Sequence, residues 1–286
     1  MPINKNIYSL KLLIIIIGVL IVIMVFFYLQ NNWITKTRLK VNLQKLPKNF
    51  DGFKIIHISD LHNKSFGKEQ QYLVKQIKVE KPNIIIITGD LIDSRRYNED
   101  IAMQFVNEAI KIAPVYYVTG NHEMRSGRFE SLEKELIKSG VYVLRNRWER
   151  VDIEGQSIII AGADDPYTRI RNREPIVIEQ YLQEITKDLE ENSFKILLSH
   201  RPEKIHRYAA YGFDLVFSGH GHGGQVRIPF IGGLVVPNQG FFPKYSSGMH
   251  NIDNTTIIIS RGLGNSIIPQ RIFNRPEIII TELLSK

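Results

Sequence analysis

Five short blocks of this 286-residue chain carry side chains that can do chemistry: Asp60-Leu61-His62, Gly89-Asp90, Gly120-Asn121-His122-Glu123, Ser199-His200 and Gly219-His220-Gly221-His222. Carboxylate, imidazole and amide oxygen are the donors that hold Zn, Fe or Mn. Seven of these residues, Asp60, His62, Asp90, Asn121, His200, His220 and His222, read as the oxygen and nitrogen ligands of a two-metal hydrolase. Alone, each block has an ordinary structural reading: Asp-x-His ends many strands, and Gly-Asp makes turns and helix caps. Five in succession, each after a strand-like run, are hard to read as coincidence.

The runs that must position them are apolar and largely β-branched: residues 53–59, 84–88, 115–119, 195–198 and 215–218. Such runs are expected as buried strands, and open α/β sheets build their sites in the loops beyond strand carboxyl ends. The intervening pattern predicts helices near 68–79, 101–112 and 129–138, giving a β-α-β-α-β-α series. Residues 148–153 and 157–161 flank the Glu154-Gly155 turn as a hairpin. A helix near 176–189 and a shorter one over 202–210 precede the last two donor strands, and strand-like residues 257–260 and 278–283 are expected to close the sheet. The fold class is α/β, two-layered or sandwiched, with one domain over residues 51–286.

Composition narrows the chemistry. The chain has no cysteine, which excludes disulfides, thiolate-held zinc and a thiol nucleophile. Of the net charge of +8, seven units come from Lys5, Lys11, Lys36, Arg38, Lys40, Lys45 and Lys48, and residues 1–50 contain no acid. The rest of the chain is nearly neutral, which argues against a nucleic-acid partner and for a membrane surface.

Residues 12–29 are unbroken Leu, Ile, Val, Met, Phe and Tyr with one Gly. Eighteen residues at about 1.5 Å each span roughly 27 Å, close to the hydrocarbon thickness of a bilayer. A single-pass anchor after an amino-terminal tail (1–11) and before a basic linker (30–50) is the expectation. A cleaved signal peptide is the rival reading, but the stretch is long for one and lacks a small-x-small cleavage site. The charges on the two flanks argue for opposite orientations. The carboxyl-terminal domain is placed on the extracytoplasmic face of the cell membrane, because long domains after a first apolar helix commonly translocate.

In their order, the five blocks resemble the calcineurin-like metallophosphoesterase superfamily, whose pattern is Asp-x-His, Gly-Asp, Gly-Asn-His-Asp/Glu, a single His and Gly-His-x-His. Gly223-Gly224-Gln225, Lys244-Tyr245 and Ser260-Arg261-Gly262-Leu263-Gly264 resemble its membrane-associated bacterial branch. Gly221 departs from that branch, which often has Thr there, and should loosen the loop between the two histidines. The resemblance implies a metallophosphoesterase-type β-sandwich flanked by helices and two divalent ions, Mn, Zn or Fe. One ion would be held by Asp60, His62 and His222, the other by Asn121, His200 and His220, with Asp90 shared. It implies attack of metal-bound hydroxide on the phosphorus of a phosphate ester, by a phosphodiesterase or phosphatase.

His122 is the histidine of these blocks not needed as a ligand; the resemblance makes it catalytic, contacting phosphate and protonating the leaving oxygen. Glu123 is read either as orienting His122 or as a helix-start acid. His57 is expected as a core or supporting histidine, and His206 and His250 as ordinary helix and loop residues. Asp164-Asp165 is read as a turn near the site. Arg261 is read either as a phosphate-holding fork or as a surface arginine. Two other functions remain open to such a chain: a metal-binding scaffold without catalysis, against which stands the full donor set with His122, and a nuclease, against which stands the neutral domain. An anchored site suggests a lipid-linked phosphate or pyrophosphate as substrate. The apolar stretch 228–242 is then either a lip beside the site or a hairpin packed on the core.

Overall fold

A computed structural model describes residues 5–168, 170, 173–236, 239–265 and 267–286. The apolar leader forms α1 (Lys5–Asn32), which is exposed along its apolar stretch and has no face turned to the core. Its last turns nevertheless touch the domain: the Phe26 ring meets Phe273 at 5.6 Å, and Asn31 Oδ1 accepts the Arg271 N–H at 2.9 Å.

The expected linker is in large part a strand. Residues 35–43 form β1 (Thr35–Leu43), which pairs in parallel with the last strand of the chain over its whole length. Its alternation explains this: Val41 and Leu43 are buried, while Lys36, Arg38 and Lys40 lie on the other face and find acids. Lys36 and Arg38 meet Glu80, Lys40 meets Glu282, and Lys45, just beyond the strand, meets Asp214. Much of the basic charge read as facing a membrane is thus spent on ion pairs within the fold.

Beyond it the helices and strands alternate as expected. They are β2 (Lys54–Ile58), α2 (Gln71–Lys78), β3 (Ile84–Thr88), α3 (Glu99–Ala109), β4 (Val115–Val118), α4 (Asn121–Ser126), α5 (Phe129–Lys138) and β5 (Tyr142–Val143). The second half holds β6 (Arg147–Ile153), β7 (Gln156–Ala163), α6 (Glu174–Thr186), β8 (Lys195–Ser199), α7 (Ile205–Ala210) and β9 (Leu215–Ser218). Four two-residue strands follow, β10 (Arg227–Ile228), β11 (Gly232–Gly233), β12 (Val235–Val236) and β13 (Gly240–Phe241). The chain closes with β14 (Gly248–Ile252), β15 (Thr255–Ile259) and β16 (Glu277–Ser285).

Two six-stranded sheets result, in the orders β1-β16-β2-β3-β4-β5 and β14-β15-β9-β8-β7-β6. The two terminal strand-like runs therefore do not close one sheet. β15 extends the second, paired with β14, and β16 enters the first between β1 and β2. Ile55, Ile86, Val118 and Ile279 of the first sheet face Ile160, Ile196, Leu198, Phe217 and Ile258 of the second across a shared core. The outer face of the first sheet is covered by α2, α3 and α5 through Leu73, Ile77, Phe105 and Leu132. The second is covered by α6 and α7 through Ile178, Leu182, Ile205 and Tyr208. Each such side chain contributes roughly 1.5–3 kcal/mol on full burial. The central strands must be apolar on both faces, which is why Ile84–Ile87 are all buried.

The described residues of the 228–242 stretch do not form one hairpin packed on the core, although Val236 is buried. β10–β11 and β12–β13 are two small antiparallel pairs, and Phe230, Ile231, Phe241 and Phe242 are exposed.

Candidate metal centre

Every donor block leaves the carboxyl end of a strand. Asp60 and His62 follow β2, Asp90 follows β3, Asn121 and His122 follow β4, His200 follows β8, and His220 and His222 follow β9. β2, β3 and β4 are parallel in one sheet and β8 and β9 in the other, so the five loops meet at one edge of the sandwich. The chain turns sharply there: Asp60, His62, Asp90, His220 and His222 have φ of 52°, 49°, 51°, 65° and 44°. That left-handed region costs an L-residue about 1–2 kcal/mol, a strain that clusters at functional sites. Hydrogen bonds offset it: the Asp60 N–H donates to Gly89 O and the His62 N–H to Asp90 O, both at 3.0 Å. Glycine is required at position 219, where a Cβ would overlap Ser59 Oγ and Asp60 Oδ2 across the gap between the sheets.

Asp90 is central. Its Oδ2 lies 3.2 Å from His200 Nε2 and 3.5 Å from His62 Nε2, while its Oδ1 accepts the His122 N–H at 2.7 Å. To one side, Asp60 Oδ1 is 3.3 Å from His222 Nε2, and the Nε2 atoms of His62 and His222 are 3.1 Å apart. Asp60, His62, Asp90 and His222 form one group of donor atoms within 4.8 Å of one another, and Asp90, His200 and His220 form another. Asn121 precedes the N–H that Asp90 accepts, and its Oδ1 is buried without a hydrogen-bond partner, as is His200 Nε2. The structure thus brings the donor blocks together at one buried edge.

These residues fit a divalent cation. Nitrogen and oxygen donors about 2.0–2.2 Å from a tetrahedral ion stand roughly 3.3–3.6 Å from one another, close to the separations found here. Buried polar atoms are ordinarily satisfied, and a cation would satisfy Asn121 Oδ1 and His200 Nε2. His200 is already aimed: its Nδ1 donates to Thr88 O at 2.7 Å, which turns Nε2 toward Asp90.

Charge follows from the same packing. Burial pushes the Asp60 and Asp90 carboxyls up, but the histidines around them outweigh it, chiefly His222 for Asp60 and His200 for Asp90, and hold both below the usual carboxylate range. Burial likewise disfavours a charged His200, yet Asp90 outweighs it and pushes the ring up to about 10. His222 is pushed down to about 3 by burial, and His220 also lies well below its ordinary value through burial and Arg201. Two ionised carboxylates, with His220 and His222 neutral and His200 holding a proton against Asp90, make a donor set that a divalent cation can enter by displacing that proton.

His122 faces the same cluster. Its ring stands edge-on to His62 with centroids 4.5 Å apart, and its Nδ1 accepts the Ser94 N–H at 3.0 Å. An Nδ1 that accepts leaves the proton of the neutral ring on Nε2. Burial lowers this ring's pKa, and Asp90 opposes it. Glu123 does not orient His122. Its carboxylate accepts the backbone N–H groups of Asp90 (2.8 Å), Leu91 (2.8 Å), Ile92 (3.1 Å) and Gly120 (2.7 Å), knotting the β3 and β4 loops together.

The remaining candidates also find places. His57 is buried, with Nε2 2.7 Å from Thr88 Oγ1, a supporting residue as expected. His206 is exposed, and His250 Nε2 donates to Ser247 O at 3.0 Å. Asp164 and Asp165 are buried and, as expected, near the site: Asp164 accepts from Thr119 Oγ1 and Arg145, and Asp165 binds Arg201, next to His200, through two bonds of 2.6 and 3.0 Å. Arg261 is partly buried and held by Glu277, whose Oε1 accepts from its Nη2 at 2.8 Å.

Several supporting residues escaped the sequence reading. Arg201, next to His200, puts Nη1 3.3 Å from His220 Nε2. Asn274 donates to His222 O at 2.7 Å, and Asp93 Oδ1 lies 3.5 Å from His122 Nδ1. Only Arg201 and Asp93 had a signal, their adjacency to donor blocks; Asn274 is 52 positions from the histidine it holds.

A sandwich of two mixed sheets with histidine and aspartate donors gathered at one edge defines a metal-dependent hydrolase of phosphoric esters. The chain belongs to the calcineurin-like phosphoesterase family, whose model matches residues 53–224. It is similar to the uncharacterized metallophosphoesterase YkuE of Bacillus subtilis, 30% identical over 90% of this chain and 88% of that one. It is also similar to an uncharacterized metallophosphoesterase of Aquifex aeolicus, 31% identical over 91% of this chain and 95% of that one. A transmembrane protein with metallophosphoesterase domain from Bos taurus is 27% identical over 87% of this chain, which spans 56% of it. Among solved structures, the phosphopantetheinyl hydrolase PptH of Mycobacterium tuberculosis shares the fold with a TM-score of 0.50, at 12% identity over 74% of this chain and 91% of that one.

Proposed function

We propose that the chain is a membrane-anchored phosphodiesterase or phosphatase that works with two divalent ions, Mn, Zn or Fe. One ion is assigned to Asp60, His62 and His222, the other to Asn121, His200 and His220, and Asp90 is assigned to both. The observation that carries this reading is the membership of Asp90 in both donor groups, with Oδ2 at 3.2 Å from His200 and 3.5 Å from His62. Ions bound there supply Lewis acidity toward phosphoryl oxygen and an acidified water as nucleophile. The chain's own part is positioning and proton transfer. Two carboxylates among neutral rings leave the loaded centre positive and so attractive to an anionic ester. His122 is the general acid: it enters the step as imidazolium, with Asp93 Oδ1 3.5 Å from Nδ1 to stabilise the second proton, and passes its Nε2 proton to the departing oxygen as the phosphorus–oxygen bond breaks, returning to the neutral ring.

α1 is read as a single-pass anchor in the cell membrane, with the domain on the extracytoplasmic face. An anchored site favours a lipid-linked phosphate or pyrophosphate as substrate. Three measurements on the purified full-length protein test these readings. Elemental analysis should find two equivalents of Mn or Zn per chain, and Asp90→Asn should lose at least one of them together with hydrolysis of a soluble diester. Full hydrolysis by Asp90→Asn, or two bound ions with no hydrolysis of any phosphate ester, defeats the enzymatic assignment. Equal kcat/KM on a lipid phosphate in mixed micelles and on a soluble diester defeats only the lipid reading.

A further inference from the structure

We propose that the two small hairpins β10–β11 and β12–β13, together with the neighbouring Ile267 and Phe273, form a surface that enters the lipid bilayer beside α1 and sets the metal centre against the membrane. The proposal rests on reading α1 as a membrane anchor and adds a second, independent contact with the same bilayer.

The surface is apolar and open. Phe230 is fully exposed, and Ile231, Phe241, Phe242, Ile267 and Phe273 are each more than half exposed. Phenylalanine and isoleucine cluster this way on a soluble face only where something covers them. Elsewhere on the described domain, exposed large apolar side chains are scattered along separate elements, as at Tyr72, Ile137 and Tyr142.

The occupant follows from continuity with α1. The Phe273 ring packs edge-on against Phe26 at 5.6 Å, and the Asn274 N–H donates to Gln30 Oε1 at 3.2 Å. From there the backbone passes directly to the hairpins, because Val226 bridges Ile272 and the Arg227 N–H donates to Ile272 O at 2.9 Å. Depth follows from α1 itself. Trp33, with the Arg275 guanidinium 5.3 Å over its ring, has the composition of a residue at the membrane–water boundary. Seven residues at about 1.5 Å place Phe26 roughly 10 Å deeper along the helix. Phe273, which packs on Phe26, shares that depth, and we place the hairpins joined to its neighbour Ile272 at the same level, among acyl chains rather than water. Amphipathic surfaces that lie in this zone bury apolar side chains about 5–10 Å into it.

The metal centre is brought along. Asn274 holds His222 O at 2.7 Å and Gln225 O at 3.1 Å, and Gly224 packs on the backbone of Gly233 in β11. The hairpins are therefore braced on the loop that carries His222, and a phosphate at the level of lipid headgroups lies beside the donor cluster.

The absence of cysteine makes the test direct, since single cysteines can be labelled in the full-length protein. Phe230→Cys and Phe241→Cys would carry an environment-sensitive bimane, and both side chains are exposed, so neither change removes core packing. Val19→Cys, within α1, reports whether the helix lies in the bilayer. Lys48→Cys serves as the water-exposed control: the nine residues of β16 run from Glu277 near the donor cluster to Ser285, whose N–H is held by Asp51 beside Lys48. At about 3.3 Å per residue this is roughly 27–30 Å from the proposed surface.

In phosphatidylcholine–phosphatidylglycerol vesicles, the labels at 230, 241 and 19 should shift to the blue and lose intensity when bromolipid replaces ordinary lipid. The label at 48 should do neither. Quenching at 19 without quenching at 230 and 241 overturns the docking surface and leaves the anchor standing. No quenching at 19 overturns the anchor and the docking surface with it. A blue shift at 230 and 241 without bromolipid quenching assigns the surface to a second protein copy and overturns the proposal. None of these readouts depends on hydrolysis, so failure here is distinct from failure of the enzymatic reading.

Discussion

Glu123 Oε2 accepts the backbone N–H of Asp90 at 2.8 Å, so the carboxylate shared by both donor groups is held by a neighbour that touches no metal-binding atom itself. Three more N–H groups, of Leu91, Ile92 and Gly120, converge on the same buried side chain. Burial and the charge of Asp90 push Glu123 up to about 7, and the backbone donors oppose them. Glu123→Gln keeps the shape but replaces one accepting oxygen by an NH₂ group facing N–H donors. A buried donor left unpaired costs about 1–3 kcal/mol. The variant should lose stability of that order in thermal melts and bind metal more weakly, while Glu123→Asp, shorter by one methylene, should recover part of both. A Glu123→Gln protein as stable and as metal-rich as the wild type would show that the knot of N–H groups does not hold the loop.

His122 should separate chemistry from metal binding. Its Nδ1 is committed to Ser94, and its backbone N–H, not its ring, is the group bonded to Asp90. His122→Ala should therefore retain its metal content and lose about 10²–10⁴-fold in kcat, the usual contribution of a positioned general acid. The loss should be smaller for an ester whose leaving group needs no proton, such as a nitrophenolate. An equal loss on good and poor leaving groups would indicate that His122 positions phosphate rather than donating a proton.

Asn31 ties the foot of α1 to the loop behind the donor cluster. Its Oδ1 accepts the Arg271 N–H at 2.9 Å and its Nδ2 donates to Pro269 O at 3.0 Å. Arg271 is fully buried, with Nη2 3.5 Å from His222 Nδ1. Asn31→Ala removes both bonds, each worth about 1 kcal/mol. We expect a melting temperature lowered accordingly and a reduced kcat in detergent, with little change in KM for a soluble diester. Unchanged kcat would mean that the helix only tethers the domain and does not brace its site.

Much of the site was legible because its determinants are local. A short, β-branched run such as Ile84–Ile87, closed by Gly89, reads as a buried strand, and Asp90 stands just beyond its end. β1 was missed for a physical reason: at an edge its polar face carries Lys36, Arg38 and Lys40, and that charge hid a period-two alternation ending in the buried Val41 and Leu43. The placement of β15 and β16 in different sheets was not legible, since both are equally apolar and pairing is decided by tertiary packing. The same holds for Asn274 and Arg271, whose roles exist only once the chain has brought residues 271–274 against His222.

The charge on β1 leads to a prediction about acid stability. Glu80 is buried, Lys36 lies 2.8 Å and Arg38 2.7 Å from its Oε1, and these contacts fasten the edge strand to the loop after α2. Burial raises the carboxyl pKa, but Lys36 and Arg38 outweigh it and hold the group below its ordinary value of 4.5. A pKa lower in the folded than in the unfolded chain means the folded state binds fewer protons, so stability rises with pH in that interval. The contribution is complete above pH 4.5 and drains away as the pH falls through the folded pKa. Arg38 is largely exposed, and such partly solvated pairs contribute about 1 kcal/mol or less. Glu80→Gln should therefore melt below the wild type at neutral pH by the equivalent of that amount, and the two melting curves should converge as the pH is lowered past the ordinary carboxylate range. High salt should also narrow the gap at neutral pH, because Arg38 is open to screening. A gap that stays constant from neutral to acid pH would mean that Glu80 acts through its packing and neutral hydrogen bonds rather than its charge.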